Sequence, residues 1–266
     1  MLKIIYGLLA GIPTLSGVMM THHKKLTTAY SKIVDTMKEM GYSSPNDVAN
    51  FEGTPERAAK ALLQLIQPRS VIHTEIDGML AKIFPAGNMR DMIISQGNLV
   101  FGMCPHHLLP VIYRVTIAYV PKDKVIGISK LTRIAKLLAG RPVLQEQFTH
   151  DLANVFYYEP DPNQQVQLQA KMEELAQKVD VNKEERAQQL VDFSAELVDQ
   201  FRTFPSMQTV GSAVYTEALH MCMACRGAEH PEVRIKTSAV RGIFRTQPET
   251  RKEFFDQINL TTSLLP

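Results

Sequence analysis

"LLPVIYRVTIAYVP", residues 108–121, settles the class of the chain. Tyr113, Val115, Ile117 and Tyr119 alternate with Arg114, Thr116 and Ala118. A period of two puts the first set on one face of a β-strand, and the β-branched and aromatic residues suit a pleated, half-buried surface. Upstream, "MIISQGNLVFGM" (92–103) has the same character and reads as a second strand. Downstream, "VIGISKLTRIAKLLAG" (125–140) passes from strand to helix, with Ser129 as the N-cap candidate and Gly140 as the stop. "VLQEQFTHDLANVF" (143–156) is a further helix. The chain returns to β in "QTVGSAVYTEALHMCMAC" (208–225) and "VRIKTSAVRGIF" (233–244), and "PETRKEFFDQI" (248–258) closes it as a helix.

Two helices precede the strands. In "LTTAYSKIVDTMKEM" (26–40), Ile33, Met37 and Met40 recur at helical spacing and Gly41 follows. "GTPERAAKALLQLI" (53–66) offers Thr54 as N-cap, Pro55 at the first helical position, and Leu62, Leu63, Leu65 and Ile66 as its apolar side. Before them, residues 1–22 carry an apolar run broken by Gly7, Gly11 and Pro13. It is too interrupted for a membrane span and lacks a small-x-small cleavage site. A disordered or dispensable tail is the preferred reading over a signal or anchor.

Residues 157–205 change character. Leu168, Met172, Leu175 and Val179 step at helical spacing, Asn182 with Glu185 resembles a capping box, and Leu190, Leu197, Val198 and Phe201 continue one face up to Pro205. An antiparallel helix pair is expected, as a solvated surface insertion in preference to a partner-binding or assembly element.

Composition narrows the function classes. A chain of 266 residues, 45% hydrophobic and 21% charged, is an ordinary soluble globular protein. A net charge of +2 gives no bulk case for a nucleic-acid or membrane partner. Three cysteines make no disulfide framework. They suit a reducing, cytoplasmic setting in which thiols bind metal or do chemistry.

Two of those cysteines sit near histidines. "FGMCPHHLLP" (101–110) holds Cys104, His106 and His107, and "EALHMCMACRG" (217–227) holds His220, Cys222 and Cys225. On an unbroken strand His220 and Cys222 share a face with Arg226 next along it, while Cys225 points away. Cys222 and Cys225 would then meet one ion only through a bulge. Cys104, His107 and Cys222 together make two thiolates and an imidazole, a set suited to zinc that leaves a fourth position for water. Buried structural cysteines with ordinary histidines are the competing reading, and a closed site with Cys225 as fourth ligand stays open. A basic group, Ser129, Lys130 and Arg133 of "SKLTR", starts a helix, where free N–H groups and the dipole favour phosphate. Arg57 and Arg226 are further candidates, against the plainer reading of a solvated basic face. Glu146 in "QEQ" means little alone.

Taken in order, "GTPERAAKAL", "MCPHHLLP", "VIGISKLTRIAK", "RPVLQEQFT", "ALHMCMACRG" and "TSAVRGIFR" resemble the GTP cyclohydrolase I family. The resemblance covers most of 50–155 and 208–258. It implies an α+β tunnelling fold: an antiparallel sheet with helices packed on one face, N-terminal helices, and here an inserted helical hairpin. The implied organisation is a tail at 1–22, a helical region at 23–68, a catalytic domain at 69–156 and 206–266, and the insertion at 157–205. It implies Cys104, His107 and Cys222 as zinc ligands, and His106 and His220 as acid/base groups. Glu146, with the backbone near Gln145, would grip the guanine edge, and Arg57, Ser129, Lys130, Arg133 and Arg226 would clamp the triphosphate. The implied reaction opens the imidazole ring of GTP, releases formate and rearranges the rest to 7,8-dihydroneopterin triphosphate. The implied assembly is a homo-oligomer, a decamer of two pentamers with sites between subunits.

Three features depart from the family pattern. Pro105 stands where a glutamate is usual, Cys225 where a small residue is common, and the segment 157–205 is far longer than usual. Cys225 is expected to pack on the far face of its strand. A shifted purine-nucleotide substrate and a non-catalytic assembly or binding role built on the insertion are the competing readings.

Overall fold

The structure, a computed structural model, describes residues 15–158, 170 and 206–262. The expected helix pair lies outside the described residues but for Tyr157, Tyr158 and Ala170. The described residues fall into two compact units, divided after Ile66.

The first unit is helical: α1 (Leu15–Glu39), α2 (Pro45–Asn50) and α3 (Thr54–Leu65). The helix expected from residue 26 begins at Leu15 and takes in part of the segment read as a tail. α1 packs on α3, with Val34 and Ala59 buried. Ile33, Met37 and Met40, whose spacing predicted the helix, are exposed in this chain. Their spacing marks a helix without marking which face the unit covers. α2 was not anticipated, although its start is a capping box: Ser44 accepts from the Asp47 N–H, and the Asp47 carboxylate accepts from the Ser44 N–H. The N-cap of α3 is Gly53, not Thr54. The chain must enter through a left-handed residue (φ 65°), which glycine supplies without steric cost, and Thr54 becomes the first helical residue.

The second unit opens with α4 (Arg69–Leu80), also unanticipated, then β1 (Phe84–Pro85), β2 (Ile93–Met103), β3 (Pro110–Val120), β4 (Lys124–Val125), α5 (Ile128–Ala139) and α6 (Gln145–Phe156). After the excursion come β5 (Gly211–His220), α7 (Met221–Ala224), β6 (Ile235–Gly242), α8 (Ile243–Thr246) and α9 (Pro248–Thr262). The main sheet runs β2-β3-β5-β6, antiparallel throughout, and β1 pairs with β4.

Alternation along β3 decides what the sheet covers. Tyr113, Val115, Ile117 and Tyr119 are fully or almost fully buried against Leu131, Ile134 and Leu138 of α5 and Phe148, Leu152 and Phe156 of α6. Side chains of this kind contribute about 1.5–3 kcal/mol each on burial. The other face, Ala118 and Val120 of β3 with Ala213 of β5 paired to Ala118, meets Phe244 and Phe254 from α8 and α9 in a smaller second cluster.

Two local features fix the site end of the sheet. At Gly102 a Cβ would lie 2.7 Å from Tyr113 Cε2 and 2.9 Å from the Ala139 carbonyl, so only glycine lets the end of α5 reach β2 just before Cys104. A bulge between Ser95 and Asn98, with Gly97 at φ 70°, turns Asn98 inward. Asn98 Nδ2 donates to the Ser95 and Val115 carbonyls, and its Oδ1 accepts from Thr132 Oγ1 at 2.6 Å, which pins α5 to the sheet.

Candidate metal centre and active site

The β2–β3 connection is a tight loop closed at both ends. The Cys104 N–H donates to the Leu109 carbonyl and the Leu108 N–H donates to the Cys104 carbonyl, each at 2.9 Å. Leu108 is thereby held at φ 53°, a left-handed conformation that costs a branched residue about 1–2 kcal/mol. Cys104 ends up buried. Across the sheet Val111 pairs with His220, so β3, lying between β2 and β5, brings the loop and the end of β5 to one edge.

The strand expected through residue 225 stops at His220, and Met221–Ala224 form a single helical turn. Strict alternation therefore does not apply beyond His220. One ligand atom from each of Cys104, His220 and Cys222 lies within 4.8 Å of the other two. His107 stands beside this group, its Nδ1 3.7 Å from Cys104 Sγ. His106 is exposed, its ring centroid 6.2 Å from that of His107. The expectation that Cys225 packs on an opposite face is corrected by the helical turn. Cys225 is exposed, its thiol donates to the Met221 carbonyl at 2.9 Å, and it is not among the clustered donors.

The donor chemistry fits a soft or borderline cation. Burial, a hydrogen bond with Cys104 and the field of Cys104 push the Cys222 thiol up, with its own backbone and then Arg226 pulling the other way. Two adjacent thiols resist joint ionisation, and a bound cation removes that resistance.

Around the cluster the structure adds two residues that the sequence did not single out for this use. Gln145, the first residue of α6, has a buried side chain. Its Nε2 lies 2.9 Å from the Ile235 carbonyl, 3.3 Å from the Thr216 carbonyl and 3.2 Å from Thr237 Oγ1, and its Oε1 lies 2.9 Å from His220 Nε2. Tyr113 stacks on Phe148 at 4.7 Å and meets the His220 ring edge-on at 6.4 Å. Its hydroxyl is buried and has no partner among the described residues. Burial, then Cys104 and Glu146, raise its pKa. Glu146 is exposed beside these groups, and its charge opposes the downward shift that burial imposes on His220.

The basic candidates are placed less uniformly. Gly127, in extended conformation, is the N-cap of α5, so Ser129 is the second helical residue and not the cap. Lys130 Nζ donates to the Met79 carbonyl at 2.9 Å and to the Lys82 carbonyl. Arg133 is exposed one turn further on. Arg226 is exposed and close enough to Cys222 to act on it. Arg57 belongs to the first unit, where its Nη2 donates to Thr54 Oγ1 at 2.9 Å.

The family described as GTP cyclohydrolase I matches residues 29–189 and 172–259. GTP cyclohydrolase 1 of Pseudoalteromonas translucida is 31% identical over 236 residues, covering 89% of this chain and 98% of the relative. The protein of the same name from Thermoanaerobacter pseudethanolicus is 30% identical over 207 residues, covering 77% and 83%. That from Dictyostelium discoideum is 27% identical over 237 residues, covering 89% and 80%.

Proposed function

The chain belongs to the GTP cyclohydrolase I family and is an enzyme of that type, and on that premise we propose how its own residues divide the work of opening the guanine imidazole ring of GTP. The products are formate and 7,8-dihydroneopterin triphosphate. Convergence of Cys104 and Cys222 from opposite sides of β3, with an imidazole beside them, carries the reading.

Cys104, His107 and Cys222 would hold zinc, which supplies an activated water near neutral pH. His220, half-buried and shifted toward its neutral form, serves as an acid/base group at the opening ring. His106, exposed on the same loop, serves the later proton transfers. Glu146, exposed at the start of α6, accepts from the guanine N1 and amino groups, with the Gln145 backbone beside it. Ser129, Lys130, Arg133, Arg226 and Arg57 hold the triphosphate and keep the base in register, which converts an encounter into an oriented complex. The edge strands β2 and β6, together with exposed Leu99 and Phe101, support assembly into rings, for which we propose a decamer of two pentamers. No helix among the described residues is long and apolar enough to cross a membrane.

One observation favours a variant of the ligand set. His220, not His107, shares the 4.8 Å donor group with both thiols. Zinc content of His107→Ala and His220→Ala separates the two: the proposed set loses metal only in the first. The function itself is tested by GTP turnover with and without a chelator, read as fluorescent pterin after oxidation. Chelator-sensitive pterin supports the reading, and its absence from zinc-loaded, assembled protein refutes it.

A further inference from the structure

We propose that Gln145 is a positioning residue that fixes which nitrogen of His220 carries the ring proton; the inference rests on the acid/base role given to His220 above. The orientation of the Gln145 amide follows from its surroundings. Carbonyl oxygens only accept, so the group facing the Ile235 carbonyl at 2.9 Å and the Thr216 carbonyl at 3.3 Å must be the NH2. The reversed amide would set one oxygen against two others in a buried site, at a cost of several hydrogen bonds. Oε1 is then left facing His220 Nε2 at 2.9 Å. An amide oxygen only accepts, so Nε2 must donate. A neutral imidazole carries one ring proton, and with that proton on Nε2 the lone pair belongs to Nδ1.

The lock is built into the sheet. Thr216 lies on β5 and pairs with Thr237 on β6, and Gln145 spans both strands from the end of α6. Thr149, one turn along α6, ties the same group together: its Oγ1 lies 2.8 Å from the Gln145 carbonyl and 2.7 Å from Thr237 Oγ1. The next residue after Gln145 is Glu146, so one helix start holds both the imidazole and the carboxylate proposed to grip the guanine. In the reaction, the Nδ1 lone pair takes a proton from water, leaving hydroxide, and passes that proton to the substrate, which returns the imidazole to its neutral form. The Nε2 proton stays on the ring throughout, donated to Gln145 Oε1.

The test uses the assembled, zinc-loaded full chain. Nitrogen NMR of histidine-labelled protein, with the His220 signals assigned by their loss in His220→Ala, is expected to show the Nε2–H tautomer in the unsubstituted chain. Gln145→Met is expected to mix the tautomers and lower kcat about 10- to 100-fold, with KM for GTP within about two-fold and zinc content unchanged. Gln145→Glu, whose protonated carboxyl keeps one donor and the acceptor of the amide but loses its second donor, is expected to recover part of that loss. An Nδ1–H signal from His220 in the unsubstituted chain overturns the proposal even if neither Gln145 variant folds. Unaltered kcat in a folded Gln145→Met also overturns it. Turnover surviving in His220→Ala defeats instead the role given to His220, a separate failure.

Discussion

The Lys130 ammonium lies 2.9 Å from the Met79 carbonyl and also meets that of Lys82, so a residue proposed to hold phosphate caps the C-terminal end of α4 in this structure. Unpaired carbonyls at a helix end favour a cation by about 0.3–1 kcal/mol. The two duties make different predictions. Lys130→Met should lower stability by roughly that amount, read by urea unfolding, and raise KM for GTP by about ten-fold or more. A stability loss with unchanged KM would assign Lys130 to the cap alone and remove it from the clamp.

Metal binding should follow the thiols. Cys104→Ala and Cys222→Ala are each expected to lose bound zinc, by elemental analysis, and with it pterin formation. Cys225→Ala should keep both, because its exposed thiol is bonded to the Met221 carbonyl and stands outside the donor group. Zinc lost from Cys225→Ala would restore the closed four-ligand site.

Tyr113 carries a buried hydroxyl without a partner among the described residues, and such a group costs about 1–3 kcal/mol. Tyr113→Phe keeps the ring stacked on Phe148 and should raise stability by about 1 kcal/mol. The pH dependence carries the same signature. The folded chain holds the phenol proton more tightly than the ordinary value of 10.0, so this share of stability is present below pH 10 and falls above it, where the unfolded chain ionises first. Tyr119 shifts the same way, and its share remains. Tyr113→Phe should therefore unfold less steeply as pH rises through 10 to 11. An equal alkaline decline in both chains would show that Tyr113 ionises freely.

The strands were legible because β3 is buried on one face along its whole length, so alternation survives in the residue types from Tyr113 to Tyr119. Most chemistry-bearing side chains were legible for a different reason: thiols, imidazoles and guanidinium groups are few. What the sequence hid was context. The helical turn at Met221–Ala224 breaks a pattern that reads as strand, since Met, Cys and Ala suit both states. α4 went unread because its apolar positions, Ile72, Ile76 and Leu80, are spaced as for a helix but lack a side-chain cap. The resemblance pointed to the Gln145 backbone, but its side chain carried no signal, because an amide at a helix start becomes informative only when β5 brings Thr216 and His220 to it and β6 brings Ile235.

The long excursion between α6 and β5 begins and ends at one place. The Met207 N–H donates to the Val155 carbonyl at 2.8 Å, and both the N–H and Oγ1 of Thr209 donate to the Phe156 carbonyl at 3.0 Å. Ser212 Oγ reaches the Ala153 carbonyl at 2.8 Å. The two ends of the segment are thus clasped side by side, by bonds in which none of residues 159–205 takes part. Closing a loop costs only about 0.6 kcal/mol more for each doubling of its length, so shortening it is weakly favourable. Replacing residues 159–205 with a flexible Gly/Ser linker of about six residues should preserve folding, zinc content and pterin formation, with a thermal midpoint unchanged or slightly raised. Light scattering then isolates the role of the segment: a changed mass assigns it to assembly, and an unchanged mass removes that role. A deletion that unfolds the chain would show that the clasp at Val155 and Phe156 is insufficient and that the segment contributes to the core.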